Sequence, residues 1–186
     1  RMWFLDQLEP GSSEYLVPLV LRLRGPLRTA ALTGALDDLA ARHEALRTRY
    51  LAPDGEPVQV IDPVAALGAA PVDLTGLPAE QAAARAEKLV RAATAGPFRL
   101  DREPPLRSLL VKVAEQEHLL VLTAHHIAVD GWSLDLLTRD LGTLYRARLT
   151  GDGPPPAPPV QYADFAAWQD RWSRGELPEA HLAYWR

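Results

Sequence analysis

The chain has 186 residues, 47% of them hydrophobic, with 20 basic and 24 acidic side chains, a formal net charge of -4 and no cysteine. This length suits one domain or one lobe with a real core and is a little short for two, and the scattered basic residues argue against a nucleic-acid footprint or an anionic-membrane patch. Disulfides, thiolate metal sites and a cysteine nucleophile are excluded outright, and no apolar run reaches the roughly 18 residues of a membrane span.

In chain order, Arg1 to Leu8 reads as a short amphipathic helix ended by Pro10 and Gly11, and YLVPLVLRLRG follows as an apolar strand closed by Gly25 and Pro26. Leu32, Ala35, Leu36, Leu39 and His43 share one helical face, which predicts a helix from Arg28 to His43. LRTRYL and EPVQVID flank APDG, a Pro-Asp-Gly turn between alternating segments, and predict a β-hairpin. A strand near APVDL leads to a helix over Ala79 to Ala95, set between Pro78 and Gly96. PLRSLLVKVA and EHLLVLTAHH, joined by EQE, predict a second hairpin.

Leu134, Leu137, Leu141, Leu144 and Arg148 mark the next helix, with Ser133 or Asp130 as its N-cap and Gly151 closing it. GDGPPPAPP is expected to be a stiff, extended surface connector. Helical pieces follow over Tyr162 to Arg174 and from Pro178 onward. Helices mixed with hairpins predict an α/β fold (an α+β two-layer sandwich), a largely antiparallel sheet covered by helices. The first residue is not an initiator methionine and HLAYWR carries no helix stop signal, so the chain is expected to be a piece of something longer. The opening lacks the sections of a signal peptide, and a cytoplasmic location is expected.

The second hairpin delivers two adjacent histidines. Strand side chains alternate faces, so His125 and His126 point to opposite sides and cannot both meet a substrate. His126 shares its face with Ala124, Leu122 and Leu120, while His125 shares one with Thr123 and Val121. Hydrophobicity therefore leaves open which of them faces a cavity. Structural, catalytic and metal-binding roles all suit such a pair, but divergent histidines disfavour metal, and His43, His118 and His181 stand at no helpful spacing. Asp130 has three available roles: orienting a ring, pairing with an arginine, or capping the next helix. Gly131 lets backbone approach a ligand closely, and a helix starting there turns free N–H groups toward developing negative charge. Trp132 alone suggests packing. GWSLD is no nucleophile elbow, and no phosphate-binding loop or dinucleotide fingerprint occurs.

Four stretches taken together carry more. RMWFLDQLEPGS at residues 1 to 12, RHEALRTRY at 42 to 50, HHIAVDGWS at 125 to 133 and YADFAAW at 162 to 168 stand in the order and rough spacing of core motifs of nonribosomal peptide synthetase condensation domains, which the chain resembles. GPFRL followed by PPLRSLL resembles a further stretch of that family. The resemblance implies one lobe, the N-terminal one, of a chloramphenicol acetyltransferase-like fold, in which two lobes form a V around a tunnel. The C-terminal lobe is then absent from this chain, and the piece alone is expected to be inactive.

The resemblance also implies the chemistry. Such domains join an upstream aminoacyl or peptidyl thioester to the amine of a downstream aminoacyl thioester. Both substrates ride on phosphopantetheine arms of peptidyl carrier domains, with an adenylation domain in the same assembly line. No cofactor or metal is bound directly, and no carrier-type GGxS serine is present. By the family's pattern His126 lines the tunnel, Gly131 lies beside the reacting centre, and His125 is structural. Asp130 makes a buried salt bridge, for which Arg47 or an arginine of the other lobe is a candidate partner, and Arg42 and Arg47 are structural. Cyclising relatives replace the first histidine by aspartate, and epimerising relatives follow the glycine differently. The chain looks more like members that accept an L-configured donor. Rival readings are a non-catalytic platform that recruits carriers and an ester-forming acyltransferase of the same fold.

Overall fold

The computed structural model describes residues 2–9, 11–68 and 70–173. Four strands form the main sheet: β1 (Leu16–Arg24), β4 (Val72–Asp73), β5 (Leu106–Ala114) and β6 (Glu117–His125), in the order β1-β6-β5-β4. β6 pairs antiparallel with both β1 and β5, with Leu120 opposite Leu21 on one side and Leu110 on the other. β4 runs parallel to β5, a crossover made through α3 (Ala79–Ala95). Sequence patterning carried no sign of this direction.

α2 (Thr29–Arg42) and α4 (Gly131–Thr150) pack together on one face of the sheet. Their Leu32, Leu36, Leu39, Leu137, Leu141 and Leu144 meet Leu106, Leu110, Leu120 and Leu122 in the main core. α3 covers part of the opposite face, where Ala82 and Ala86 meet Val111 and Leu119. Small alanines let the α3 backbone sit close to the strands. β6 is therefore covered on both faces and is buried at almost every residue from His118 to His125. A strand in that setting reads as a continuous apolar run, which is why alternation could not say which histidine faces outward.

Most of the expected elements are present with small shifts at their ends. α1 spans Met2–Leu8, and Gly151 ends α4 in the left-handed conformation (φ 80°), donating to the Ala147 carbonyl at 2.9 Å. The first hairpin, β2 (Thr48–Leu51) with β3 (Val58–Ile61), stands apart from the main sheet as a two-stranded ribbon. Its loop takes positive φ at Asp54 (57°) and Gly55 (85°), a conformation this pair tolerates better than most residues. A 3-10 turn over Glu44–Arg47 precedes it and was not expected. α5 spans Tyr162–Ser173, and the helix expected from Pro178 onward lies outside the described residues.

Polar contacts tie the proline-rich connector to α2. Arg42 donates to Asp140 Oδ2 at 2.9 Å and to the carbonyls of Pro155 and Pro156. His43 Nε2 meets the same Asp140 oxygen at 2.9 Å. Gln161 donates to the Arg42 carbonyl and accepts from the Glu44 N–H, both at 3.1 Å. The end of α2 thus fixes α4, the connector and the start of α5.

Candidate active site

β6 ends at His125, and residues 126 to 130 lead into α4. His125 is 2% exposed, on the face of the sheet that carries Thr123 and Val121. Its Nδ1 accepts the Ile127 N–H at 3.0 Å, and its Nε2 lies 3.3 Å from Asp6 Oδ1 on α1. A ring that accepts at Nδ1 carries its proton on Nε2, the nitrogen that lies near the Asp6 carboxylate. Phe98 meets the ring edge-on at 6.0 Å and Tyr15 lies at 6.1 Å. Arg107 stacks on Phe98, 4.1 Å from its centroid, and grips Glu103 and the Gly96 carbonyl.

Burial is the main cause that holds His125 below the ordinary histidine range, opposed by the Asp6 carboxylate. His118, 3% exposed, is likewise pushed down by burial, with Lys112 assisting and Asp73 and Glu115 opposing. Both rings are thus neutral when folded and take up a proton more readily when unfolded. Their contribution to stability is full above about pH 6.5 and falls as pH drops through the lowered folded values. The melting temperature is expected to decline from pH 7.5 to pH 5.5, and His118→Gln to flatten part of that slope. A pH-independent melting temperature would contradict this.

His126, the next residue, is exposed, and its backbone N–H donates to the Tyr15 carbonyl at 2.8 Å. One imidazole is thus buried and the other lies at the surface, but His126 stands one residue beyond the end of β6, so strand alternation does not by itself set its direction. Gly131 opens α4, and an added Cβ there would meet nothing within 4 Å. Room for close approach is thus present where the sequence places the glycine. Trp132 is 88% exposed, not packed in a core.

Asp130 caps α4. Its Oδ1 accepts the Ser133 N–H at 2.8 Å and the Ser133 hydroxyl at 2.7 Å, and Ser133 Oγ accepts the Asp130 N–H at 3.3 Å. The Ser133 hydroxyl and N–H hold the Asp130 carboxyl below the usual range, with the His126 ring a lesser contributor. Among the described residues Asp130 forms no salt bridge, with Arg47 or otherwise: it is exposed in this lobe, and its partners are those of a helix cap. Arg47 is engaged elsewhere, with the Asp62 carbonyl at 2.5 Å and Glu44 Oε1 at 3.4 Å. Asp130→Ala is accordingly expected to lower the melting temperature measurably, whereas Asp130→Asn, an equally good cap, keeps the fold. Equal melting curves for both variants would contradict the cap.

Asp6, Tyr15 and Phe98 were not singled out by sequence. A signal for Asp6 existed: it stands three residues after Trp3, whose ring packs beside Tyr50, Phe98 and Leu100, so an acid shares the inner face of a short helix.

The family model for the condensation domain matches residues 1–186. Isonitrile lipopeptide synthase of Mycobacterium tuberculosis is 44% identical over 194 residues, covering 100% of this chain and 8% of that protein. Phosphinothricin tripeptide synthetase PhsC of Streptomyces viridochromogenes is 44% identical over 187 residues, covering 100% and 17%. Among solved structures, the X-domain in complex with OxyB from teicoplanin biosynthesis superposes with a TM-score of 0.85 at 36% identity, over 100% of this chain and 40% of that one. The first condensation domain of the calcium-dependent antibiotic synthetase gives 0.80 at 29%, over 99% and 44%. The chain thus spans less than half of these solved chains and a small part of the curated synthetases. With the match running over every residue and the motif histidines set one inside and one outside the sheet, the chain belongs to the condensation-domain family of nonribosomal peptide synthetases.

Proposed function

We propose that this chain is the first lobe of a two-lobed condensation domain that joins an upstream aminoacyl or peptidyl thioester to the amine of a downstream aminoacyl thioester. Both substrates arrive on phosphopantetheine arms of carrier domains, within an assembly line that also holds adenylation domains. The amine lone pair attacks the thioester carbonyl, the C–S bond breaks, and the acyl group passes to nitrogen. The thiol stays on the upstream arm, and the amine's proton leaves to sulfur or solvent, directly or through His126.

The observation that carries this reading is the exposed His126 just past the end of a largely buried strand, next to a His125 locked inside. The chemistry asks little of it as a base. A thioester is already activated, and an α-amine with a pKa of about 7.7–8.0 is partly neutral at physiological pH. His126 thus serves mainly to position the amine and to stabilise the tetrahedral intermediate, with alignment of tethered substrates supplying much of the rate. Gly131 allows backbone approach beside it, and Asp130 sets where α4 begins.

A second reading is favoured by one observation: the X-domain with a TM-score of 0.85 was solved in complex with another protein. A lobe of this shape then serves as a recruiting platform without chemistry. The two readings are separated by supplying the complete domain with two loaded carriers and analysing the products by mass spectrometry. Amide formation supports the first; intact thioesters together with carrier binding support the platform. An ester from a hydroxyl acceptor, with no amide from an amine, would select the ester-forming alternative.

A further inference from the structure

Asp6 lies on a seven-residue helix with no buried residue of its own, yet its carboxylate reaches the most enclosed polar group of the site. Two contacts run in series from it, and a third holds the residue between. Asp6 Oδ1 faces His125 Nε2 at 3.3 Å, His125 Nδ1 accepts the Ile127 N–H at 3.0 Å, and the residue between, His126, is fixed by its N–H on the Tyr15 carbonyl at 2.8 Å. A neutral imidazole has one donor and one acceptor nitrogen, so what one nitrogen faces decides what the other can do. A carboxylate opposite Nε2 keeps the proton there and leaves the Nδ1 lone pair for Ile127. With the proton on Nδ1, or on both nitrogens, the ring and the Ile127 N–H would set two donors against each other.

We propose that Asp6 is a positioning residue for the reaction: it holds His125 in its Nε2–H form and thereby fixes the backbone turn that presents His126. This rests on the function proposed above. Burial of His125 agrees with it, because a neutral ring is the only form that satisfies both neighbours. Tyr15 and Phe98 confine the ring, but neither supplies an acceptor to it, and Asp6 is the carboxylate within ion-pair distance of it among the described residues.

Imidazole nitrogens resolved by long-range 1H–15N spectroscopy in the full chain test the first half. Wild type is expected to show His125 as a single Nε2–H tautomer near pH 7.5, Asp6→Ala as a mixture or the Nδ1–H form, and Asp6→Asn, whose amide oxygen still accepts, as the wild-type form. Turnover of the complete domain tests the second half. A displacement of about 1 Å at a reacting group costs on the order of 100-fold, so Asp6→Ala is expected to lower kcat by at least about tenfold, with KM for the carriers unchanged and Asp6→Asn restoring most of the rate. A merely structural role would lower the melting temperature and leave the tautomer and the kcat of folded enzyme alone; that result overturns the proposal. So does an Asp6→Ala variant with wild-type turnover. A wild-type domain that makes no amide, with the tautomers behaving as expected, counts against the proposed function instead.

Discussion

In the complete domain, His126→Ala is expected to cut amide formation by about 100-fold or more, the usual contribution of a positioned acid–base or transition-state hydrogen-bonding group. The loss should fall on kcat, because His126 is assigned to the reacting centre and not to carrier docking. The melting temperature should stay at its wild-type value, since the ring is exposed and no core packing is removed. His126→Asn should fall between alanine and wild type: an amide still donates a hydrogen bond but cannot take the amine's proton. If proton removal dominated instead, asparagine and alanine would be equally slow, and the acidic limb of the kcat pH profile would vanish in both. Near-normal turnover of either variant would remove His126 from the centre of the reaction.

Leu120→Ala should produce the largest loss of stability. Leu120 is 1% exposed at the middle of β6, paired across the sheet with Leu21 and Leu110, and beneath the layer formed by α2 and α4. Helices and strands surround the site on every side, so the space left by the lost side chain cannot collapse. Substitutions of this kind cost about 2–5 kcal/mol. For a chain of this size the melting temperature should fall by on the order of 10 °C. Chemical denaturation would show the loss as a lower midpoint. Val64→Ala, at a position 78% exposed, should change stability by less than about 0.5 kcal/mol. Similar midpoints for the two variants would mean that β6 is not the centre of the core, and that the loop it carries is held by something else.

Helical periodicity was the most legible part of the sequence. α3 coincides with its expected span because Pro78 and Gly96 punctuate it, and α4 ends at Gly151 because its backbone turns left-handed there. The hairpins were legible from their turn residues. β4 was expected near APVDL, but its parallel direction was not legible, since a two-residue strand has no period and its direction is set by the α3 crossover.

The site divides in the same way. Alternation along a strand gave the expectation that His125 and His126 diverge, but β6 ends at His125, and His126 is exposed in the turn that follows. Which of them lies inside depended on α1, Tyr15 and Phe98, which are far from them in sequence and reach the strand only through the tertiary fold. Asp130 shows the opposite balance. Its cap on α4 is a local arrangement of four residues, visible in Asp130 and Ser133, and it is what the structure displays in place of an ion pair with Arg47.

Two clusters set the surroundings of the loop. Arg107, Phe98 and His125 brace it from the α3 side, while Arg42, His43 and Asp140 tie α2 to α4 and to the connector. Arg42 thus reaches α4 and the connector, and Arg47 meets the Asp62 carbonyl and Glu44.

Whether His126 meets the substrates while His125 does not can be read by loading a carrier with a pantetheine arm ending in a bromoacetyl group and mapping the adduct on the complete domain by peptide mass spectrometry. An imidazole nitrogen displaces bromide to form a stable C–N bond, so the modified residue records which ring the arm reaches. The predicted result is one carrier-derived adduct on His126 and none on His125. An adduct on His125, or labelling that leaves His126 untouched, would contradict the assignment of the two rings.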